Sequence, residues 1–480
     1  MSTLELRQSV ARGLAWNLSG QVALQISRVA IAVVLARLLT PHAYGLVGMI
    51  VVFDGLVLLF TDAALGVGLI QRKTITEDDR STVFWTTALF GLLLTGAGIA
   101  ASSAVASFYG QPAVRSLFAV YSIGFVISSL GSTHGVLLQR EMQFRTLQFR
   151  LVGATVLSGV VAILAAAAGW GAWALVTQAL VSASVGTAFL WFASDWHPRL
   201  RYSRASLRNL GGFGAKLFGA RFLFYVNGNA DNVLVGRVLG SSALGVYAVA
   251  YNVMLIPFAR LVYPIQQTLL PALSRIQEEP ERIARLWLRA NRAIAAVVVP
   301  AMVGLIVVAP DLVPVVFGER WHGLVRVVQI LATSGLVLSL SSLCTSILVA
   351  LGRTTSVLRF AVAASVLQLT GFGVGLHWGV KGVATGFVLA NALLVPSLVT
   401  VVARALGTDP LEVARNLSGV LAAAAAMGGA ALLVRFSLGG VDTSVRLVVV
   451  IVAGIGVYVA LCFWRLRDLV DELRSLLPNG

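Results

Sequence analysis

The stretch Ala36–Val47, ARLLTPHAYGLV, returns as Gly236–Tyr247, GRVLGSSALGVY, at an offset of 200 residues. Arg37 falls on Arg237, Leu39 on Leu239, Ala43 on Ala243 and Gly45 on Gly245. Each copy closes one long apolar segment and opens the next. Later segments keep step: GWGAWA (Gly169–Ala174) resembles GVKGVA (Gly379–Ala384) with one inserted residue, and LLQR ending at Arg140 echoes LVALGR ending at Arg353. Short Gly/Ala turns can recur by chance. Agreement in order, spacing and position favours a duplicated architecture instead.

The solvent that such an architecture needs follows from composition. Of 480 residues, 58% are hydrophobic and 12% charged, against about 25% charged in a soluble domain. Too little polar material remains to cover a water-exposed exterior, so lipid is the main solvent. Cutting the chain at its polar breaks leaves apolar segments near 14–38, 44–70, 83–106, 114–138, 148–168, 171–193, 214–239, 243–270, 293–316, 324–350, 357–377, 381–403, 417–436 and 445–464. Each approaches the ~20 residues that cross a bilayer core. The expected fold is an all-α membrane protein of about fourteen transmembrane helices. Residues 1–200 form a first six-helix lobe, residues 201–403 a second lobe of the same orientation, and residues 404–480 two extra helices and a tail. Parallel repeats of this kind are a transporter design.

Charge fixes the expected orientation. The net charge is +16, and only Lys73, Lys216 and Lys381 are lysines. Arginines crowd the termini and the loops after even-numbered spans. The opposite side holds only Arg37, Arg115, Arg237, Arg320, Arg326, Lys381, Arg435 and Arg446, about a third as many. By the positive-inside rule both termini are cytoplasmic. The N-terminus lacks a short apolar run followed by a small-residue cleavage site, so the first span is expected to stay as a signal anchor. Dense basic runs with interleaved aromatics are missing, which argues against nucleic acid as a partner.

Enzyme chemistry finds little support. Cys344 and Cys462 lie in apolar stretches, and the five histidines show no ligand spacing; no metal and no cofactor are expected. None of the lysines sits in a phosphate-binding loop, and Asp-x-Asp, G-x-S-x-G and H-E-x-x-H do not occur. The outer loops (SFYGQPAV, GWGAW, GSSALG, FGERWHG) leave no room for an acceptor site. His134 reads as an interfacial residue, and Trp16, Trp85, Trp191 and Trp464 as interface anchors.

Polar residues inside the spans mark the candidate site, because burying them in lipid is costly without a function or a partner. Asn17, Gln21, Gln25 and Arg28 recur at steps of four, four and three on one face of the first span. The seventh span repeats this with Arg221, Tyr225, Gly228, Asn229 and Asn232, flanked by Lys216 and Asp231. Asn252, Arg260, Tyr263 and Gln267 follow on the eighth, and Asp54 and Asp62 on the second. The expected cavity is wet and net positive. Arginine's planar fork suits phosphate oxygens, so Arg28, Arg221 and Arg260, assisted by Lys216, are assigned to a pyrophosphate head group. The alternative is internal pairing, Arg28 with Asp54 or Arg260 with Asp231. Asp54, Asp62 and Asp231 serve either as coupling-ion sites or as fixed counter-ions.

The run DNVLVGRVLGSSALGVYAVAYNVMLIPFARLVYPIQQTLLPALSRIQ (Asp231–Gln277) resembles the polysaccharide-export branch of the multidrug/oligosaccharidyl-lipid/polysaccharide (MOP) flippase superfamily, the Wzx-type exporters of the colanic-acid class above all. LARLLTPHAYGLVGM, LLQREMQFR (Leu137–Arg145) and FGERWHGLVRVVQILA (Phe317–Ala332) carry the likeness over nearly the whole chain. His322-Gly323 after Trp321 departs from it, since relatives often place a proline there. The resemblance implies a two-lobed fold of the MATE and MurJ kind in the bacterial inner membrane. It also implies a part in lipopolysaccharide or exopolysaccharide biosynthesis: ion- or potential-driven flipping of undecaprenyl-pyrophosphate-linked oligosaccharide to the periplasmic leaflet. Arg28 is the position matching the cationic residues thought to hold pyrophosphate in related flippases. Implied partners are the lipid-linked oligosaccharide, membrane lipids and polysaccharide polymerase or export proteins. A multidrug exporter of the same superfamily would call for an acidic, aromatic cavity, and a membrane glycosyltransferase or polymerase for larger outer loops.

Overall fold

The computed structural model describes residues 3–62, 66–72 and 74–465. Their regular structure is helical throughout, with no strand among the described residues. Lipid imposes this, because only a helix satisfies every backbone N–H and C=O within one crossing segment. Nine segments among the described residues are long and apolar enough to cross a membrane, and Pro41–Phe53 and Ser241–Pro257 are shorter apolar helices. One of the nine, Thr354–Leu406, reverses at Leu376–Trp378 and so contains two helices. This is a multi-pass membrane protein.

By contact density the chain divides into Met1–Gly245 and Val246–Gly480. The first unit contains α1 (Thr3–Leu38), α2 (Pro41–Asp62), the short α3 (Gly66–Gln71), α4 (Glu77–Tyr109), α5 (Pro112–Tyr121), α6 (Ile123–Arg140), α7 (Phe144–Ala167), α8 (Ala172–Ala193) and α9 (Arg204–Leu239). Local chemistry sets several ends. Thr76 and Asp79 form a reciprocal capping box that starts α4 beneath Glu77, Asp78 and Asp79, and Gly110 closes it at φ 63°. Pro112 occupies the first turn of α5, where its missing N–H costs nothing. α1 lies along α7, α7 along α8, α4 along α6, and α9 along α2. Apolar burial gains little over lipid here, so close approach and polar ties do more of the specifying. The segment between α8 and α9 shows such ties. Its Ser203 N–H donates to Thr82 Oγ1 at 2.9 Å, the Trp196 indole donates to Glu77 at 2.8 Å, and the Trp85 indole donates to the Arg199 carbonyl at 2.8 Å.

The second unit follows from α10 (Ser241–Pro257), which begins in the first. A π-turn at Phe258–Val262 leads into α11 (Tyr263–Arg275). The single span expected over 243–270 is therefore interrupted, at a place where Pro257 and Pro264 each withhold an N–H. Next come α12 (Pro280–Val316), α13 (His322–Leu340), α14 (Cys344–Ala350), α15 (Thr354–Gly375), α16 (Gly379–Leu406), α17 (Pro410–Ser437) and α18 (Thr443–Arg465). α12 has 37 residues, about 55 Å at 1.5 Å per residue, well beyond a ~30 Å core. Its surplus first turns carry Arg282, Arg285, Arg289 and Arg292.

α17 and α18 dock on α12 through polar ties at three levels. Asn416 Nδ2 donates to the Leu288 carbonyl at 2.8 Å, and the Tyr458 hydroxyl to the Ala296 carbonyl at 2.7 Å. At the far end Asp311 accepts from Arg435 Nε and from Arg446 Nη2, both at 2.6 Å. Two of the eight basic residues expected on the arginine-poor side are thus structural partners of one carboxylate. A third, Arg237, lies 5.3 Å from the Phe108 ring centre.

Candidate functional site

On α9 the candidate residues Tyr225, Asn229, Asp231 and Asn232 lie within about two turns of one another. Ser203 caps this helix by accepting the Ser206 N–H at 3.2 Å. Farther along, the Tyr225 hydroxyl crosses to α2 and donates to the Val52 carbonyl at 2.6 Å. Asn229 Nδ2 donates back to the Tyr225 carbonyl at 2.9 Å. Asp231 is buried, and its Oδ1 accepts the Asn232 N–H at 2.8 Å. The side-chain oxygen of Asn232 is buried without a hydrogen-bond partner, an arrangement that costs free energy unless something else satisfies it.

Tyr225 and Asn229 also line a cavity of about 320 Å³ with Val233, enclosed by Val52 and Phe53 of α2 and by Phe108 and Tyr109 of α4. Four aromatic rings face it. Its polar groups are the Asn229 amide and the hydroxyls of Tyr225 and Tyr109, and the Tyr109 hydroxyl is buried without a partner. Chemically it suits an alkyl chain or the apolar face of a sugar ring. No cation among its lining residues equips it for phosphate.

Of the polar stripe on α1, Gln21, Gln25 and Arg28 are described. Gly20, Leu24, Ile31 and Leu35 form the face turned to α7, where Gly20 meets Gln148 and Ile31 meets Gly159. Gln21 and Gln25 each follow such a residue by one position, about 100° round the helix. Gln21 and Arg28 are exposed and Gln25 half-buried. No hydrogen bond or ion pair joins Gln21, Gln25 or Arg28 to the α9 cluster among the described residues. The side chains of Asn17, Asp54, Asp62, Lys216, Arg221 and Arg260 lie outside the described residues, and with them the pairings of Arg28 with Asp54 and of Arg260 with Asp231. Arg260 does occupy the π-turn of the second unit, a backbone irregularity that often accompanies function.

Several features had no clear signature in the sequence. His134, expected at the interface, is fully buried against Trp191, Trp196 and Phe84, with ring centres 4.8, 5.2 and 6.2 Å away. Arg140 donates to the carbonyls of Leu69, Ile70 and Arg72, closing the C-terminus of α3. The repeated motifs meet inside the first unit. A Cβ on Gly45 would overlap the Ser241 carbonyl, and one on Gly245 would overlap the Pro41 carbonyl. Positions 41 and 45 therefore face 245 and 241 reciprocally, as in a two-fold contact. His42 Nδ1 lies 2.6 Å from Ser241 Oγ beside them.

Solved membrane transporters share this helical fold. The lipid II flippase MurJ in its inward closed conformation superimposes with a TM-score of 0.75 at 15% identity, covering 94% of this chain and all of that one. An inward-facing multidrug MATE transporter of the MOP superfamily gives 0.65 at 16% identity, over 80% of this chain and 94% of its own. Residues 34–326 match the family described as polysaccharide biosynthesis protein, and the chain belongs to that family. Its relatives include the lipopolysaccharide biosynthesis protein WzxC of Escherichia coli K12, 28% identical over 81% of this chain and 80% of the relative. Another is the succinoglycan biosynthesis transport protein ExoT of Rhizobium meliloti 1021, 24% identical over 68% and 66%.

Proposed function

We propose that this chain is an inner-membrane flippase. It moves an undecaprenyl-pyrophosphate-linked oligosaccharide from the cytoplasmic to the periplasmic leaflet by alternating access, driven by an ion gradient or the membrane potential. The observation that carries the reading is the family match over residues 34–326, which points to surface polysaccharide as the cargo class. The MurJ-like fold supports lipid-linked cargo, and the names of WzxC and ExoT agree with it.

In this reading both termini are cytoplasmic, and residues 1–200 and 201–403 are the rocking lobes, with residues 404–480 appended. Arg28, Arg221, Arg260 and Lys216 attract the pyrophosphate. Asn17, Gln21, Gln25, Tyr225, Asn229 and Asn232 supply neutral polar contacts, and Asp54, Asp62 and Asp231 balance charge or bind the coupling ion. The reciprocal Gly45/Gly245 contact supports the duplication. Polymerase and export proteins would receive the product.

Depletion of the protein, followed by mass spectrometry of inner-membrane lipids, tests the function. Accumulated lipid-linked repeat units with loss of surface polysaccharide are expected. One observation favours a second reading, a drug exporter: the aromatic lining of the α2–α4–α9 cavity, although that cavity lacks the carboxylate an organic cation would need. An unchanged lipid pool with raised sensitivity to cationic drugs would favour it. For the site, R28A and R221A proteins that reach the membrane should lose at least tenfold in export. Normal export by both would remove them from the cargo site.

A further inference from the structure

α15 and α16 reverse at Leu376–Trp378 and then run back together at very short range. Gly371 faces Gly386 and Gly375 faces Gly382, and a Cβ on any of the four would overlap the opposite backbone. With no side chains along this seam, the flanking residues stand above it as two ridges. Leu367, Thr370, Val374 and Trp378 form one ridge, and Lys381, Thr385, Leu389 and Leu393 the other. The groove between them has a volume of about 480 Å³, within the ~300–1,000 Å³ typical of small-ligand sites.

Its dimensions and charge select an occupant. From Lys381 to Leu393 the ridge spans twelve residues, about 18 Å of helix, close to the ~15 Å of hydrocarbon in one leaflet, half of a ~30 Å core. The walls are apolar apart from Thr370 and Thr385, and the Thr385 hydroxyl is already donated to the Lys381 carbonyl at 2.8 Å. At the mouth stand Lys381 and Trp378, and Trp378 is 71% exposed as a headgroup-level tryptophan would be. Lys381 is one of three lysines in the chain and lies in the first turn of α16, where the helix dipole adds positive potential. Among the described residues it has no ion pair, and no carboxylate lines the groove.

We propose that this groove binds an anionic phospholipid of the outer leaflet, with one acyl chain along the glycine seam and its phosphate at Lys381. The leaflet assignment rests on the orientation given above. A single ammonium balances the single charge of a phosphodiester, whereas a pyrophosphate would exceed it. The absence of a lining carboxylate disfavours the choline or ethanolamine of a zwitterionic lipid. The flippase cargo therefore belongs elsewhere.

The test uses the purified full-length protein in detergent, titrated with dioleoyl phosphatidylglycerol, dioleoyl phosphatidylcholine or undecaprenyl phosphate. Native mass spectrometry reads the bound lipid and thermal unfolding reads the stabilisation. One phosphatidylglycerol is expected to be retained at least tenfold more strongly than phosphatidylcholine. Lys381→Gln should abolish the preference, Lys381→Arg should keep it, and Thr370→Phe should block the groove with the lysine intact. Equal retention of the two lipids, or an unchanged preference in Lys381→Gln, overturns the proposal. So does preferential retention of undecaprenyl phosphate. Should Thr370→Phe fail to fold, the two Lys381 variants decide alone. Failure here leaves the flippase reading untouched, because retention is scored without transport.

Discussion

Removing the Asp311 carboxylate should loosen the two C-terminal helices from α12. Asp311 is 2% exposed, and the side chains of Arg435 and Arg446 are 23% and 17% exposed. Two guanidiniums thus converge on one carboxylate at 2.6 Å each. A unit charge pair about 4 Å apart gains ~4 kcal/mol at an effective dielectric of about 20. Desolvation takes back much of that gain, yet deleting one partner strands the others in a poorly solvated place. Loss of one member of a buried pair costs about 3–5 kcal/mol, and here two like charges are left facing each other. For a unit the size of Val246–Gly480, each kcal/mol moves the unfolding midpoint by about 2–4 °C, so Asp311→Ala should lower it by roughly 6–20 °C. Thermal unfolding of the purified protein in detergent reads this. Asp311→Leu combined with Arg435→Met and Arg446→Met should recover most of the loss, since apolar residues often replace a buried ionic cluster without penalty. A single variant as stable as the wild type, or a triple variant no better than Asp311→Ala, would mean that this ion cluster does not hold α17 and α18 to α12.

Gly45→Ala and Gly245→Ala each place a methyl inside the volume of a facing backbone carbonyl. The helices must then separate by more than an ångström, at a cost of about 1–3 kcal/mol; export should fall several-fold to a hundredfold at normal membrane levels. Gly96→Ala, where no atom lies within 4 Å, should leave export unchanged in the same assay. Tyr225→Phe removes one hydrogen bond to the Val52 carbonyl, about 0.5–1.5 kcal/mol, and should shift the unfolding midpoint only slightly. Tyr225→Ala also enlarges the aromatic cavity and should cost about 3–5 kcal/mol, so midpoints that are equal for the two variants would count against this packing.

Much of the helical architecture was legible because lipid leaves few alternatives. Low charge and apolar segment length answer to the bilayer rather than to tertiary detail. The turn after α1 and the turn after α9 were legible as repeats because Gly45 and Gly245 each serve a close backbone approach that only glycine permits. What escaped depends on how each helix is rotated about its axis. Asp311 lies 124 residues from Arg435 and 135 from Arg446, and no local pattern announces their meeting. Arg435 and Arg446 could be read only as exceptions to the charge bias. His134 occurs in a small-residue run that suits an interface as well as a core, and its burial follows from Trp191 and Trp196 closing over it. The π-turn at Arg260 had a partial signal in Pro257 and Pro264, which mark an irregular stretch without giving its form. Of the candidate site, the Tyr225–Asn229 cluster was legible from its four-residue spacing. Its aromatic partners Phe53, Phe108 and Tyr109 were not, because isolated aromatics in apolar spans are indistinguishable from lipid-facing ones.

Transbilayer movement of a lipid-linked sugar can be watched in reconstituted vesicles. Purified protein is placed in vesicles holding an undecaprenyl-pyrophosphate-linked oligosaccharide on both leaflets, and a membrane-impermeant glycosidase is added outside. An imposed ion gradient or potential should raise the cleaved share above that of protein-free vesicles, and R28A protein should abolish the rise. A cleaved share that never departs from protein-free vesicles under any gradient, with the protein shown to be folded, would mean that the protein does not flip this lipid.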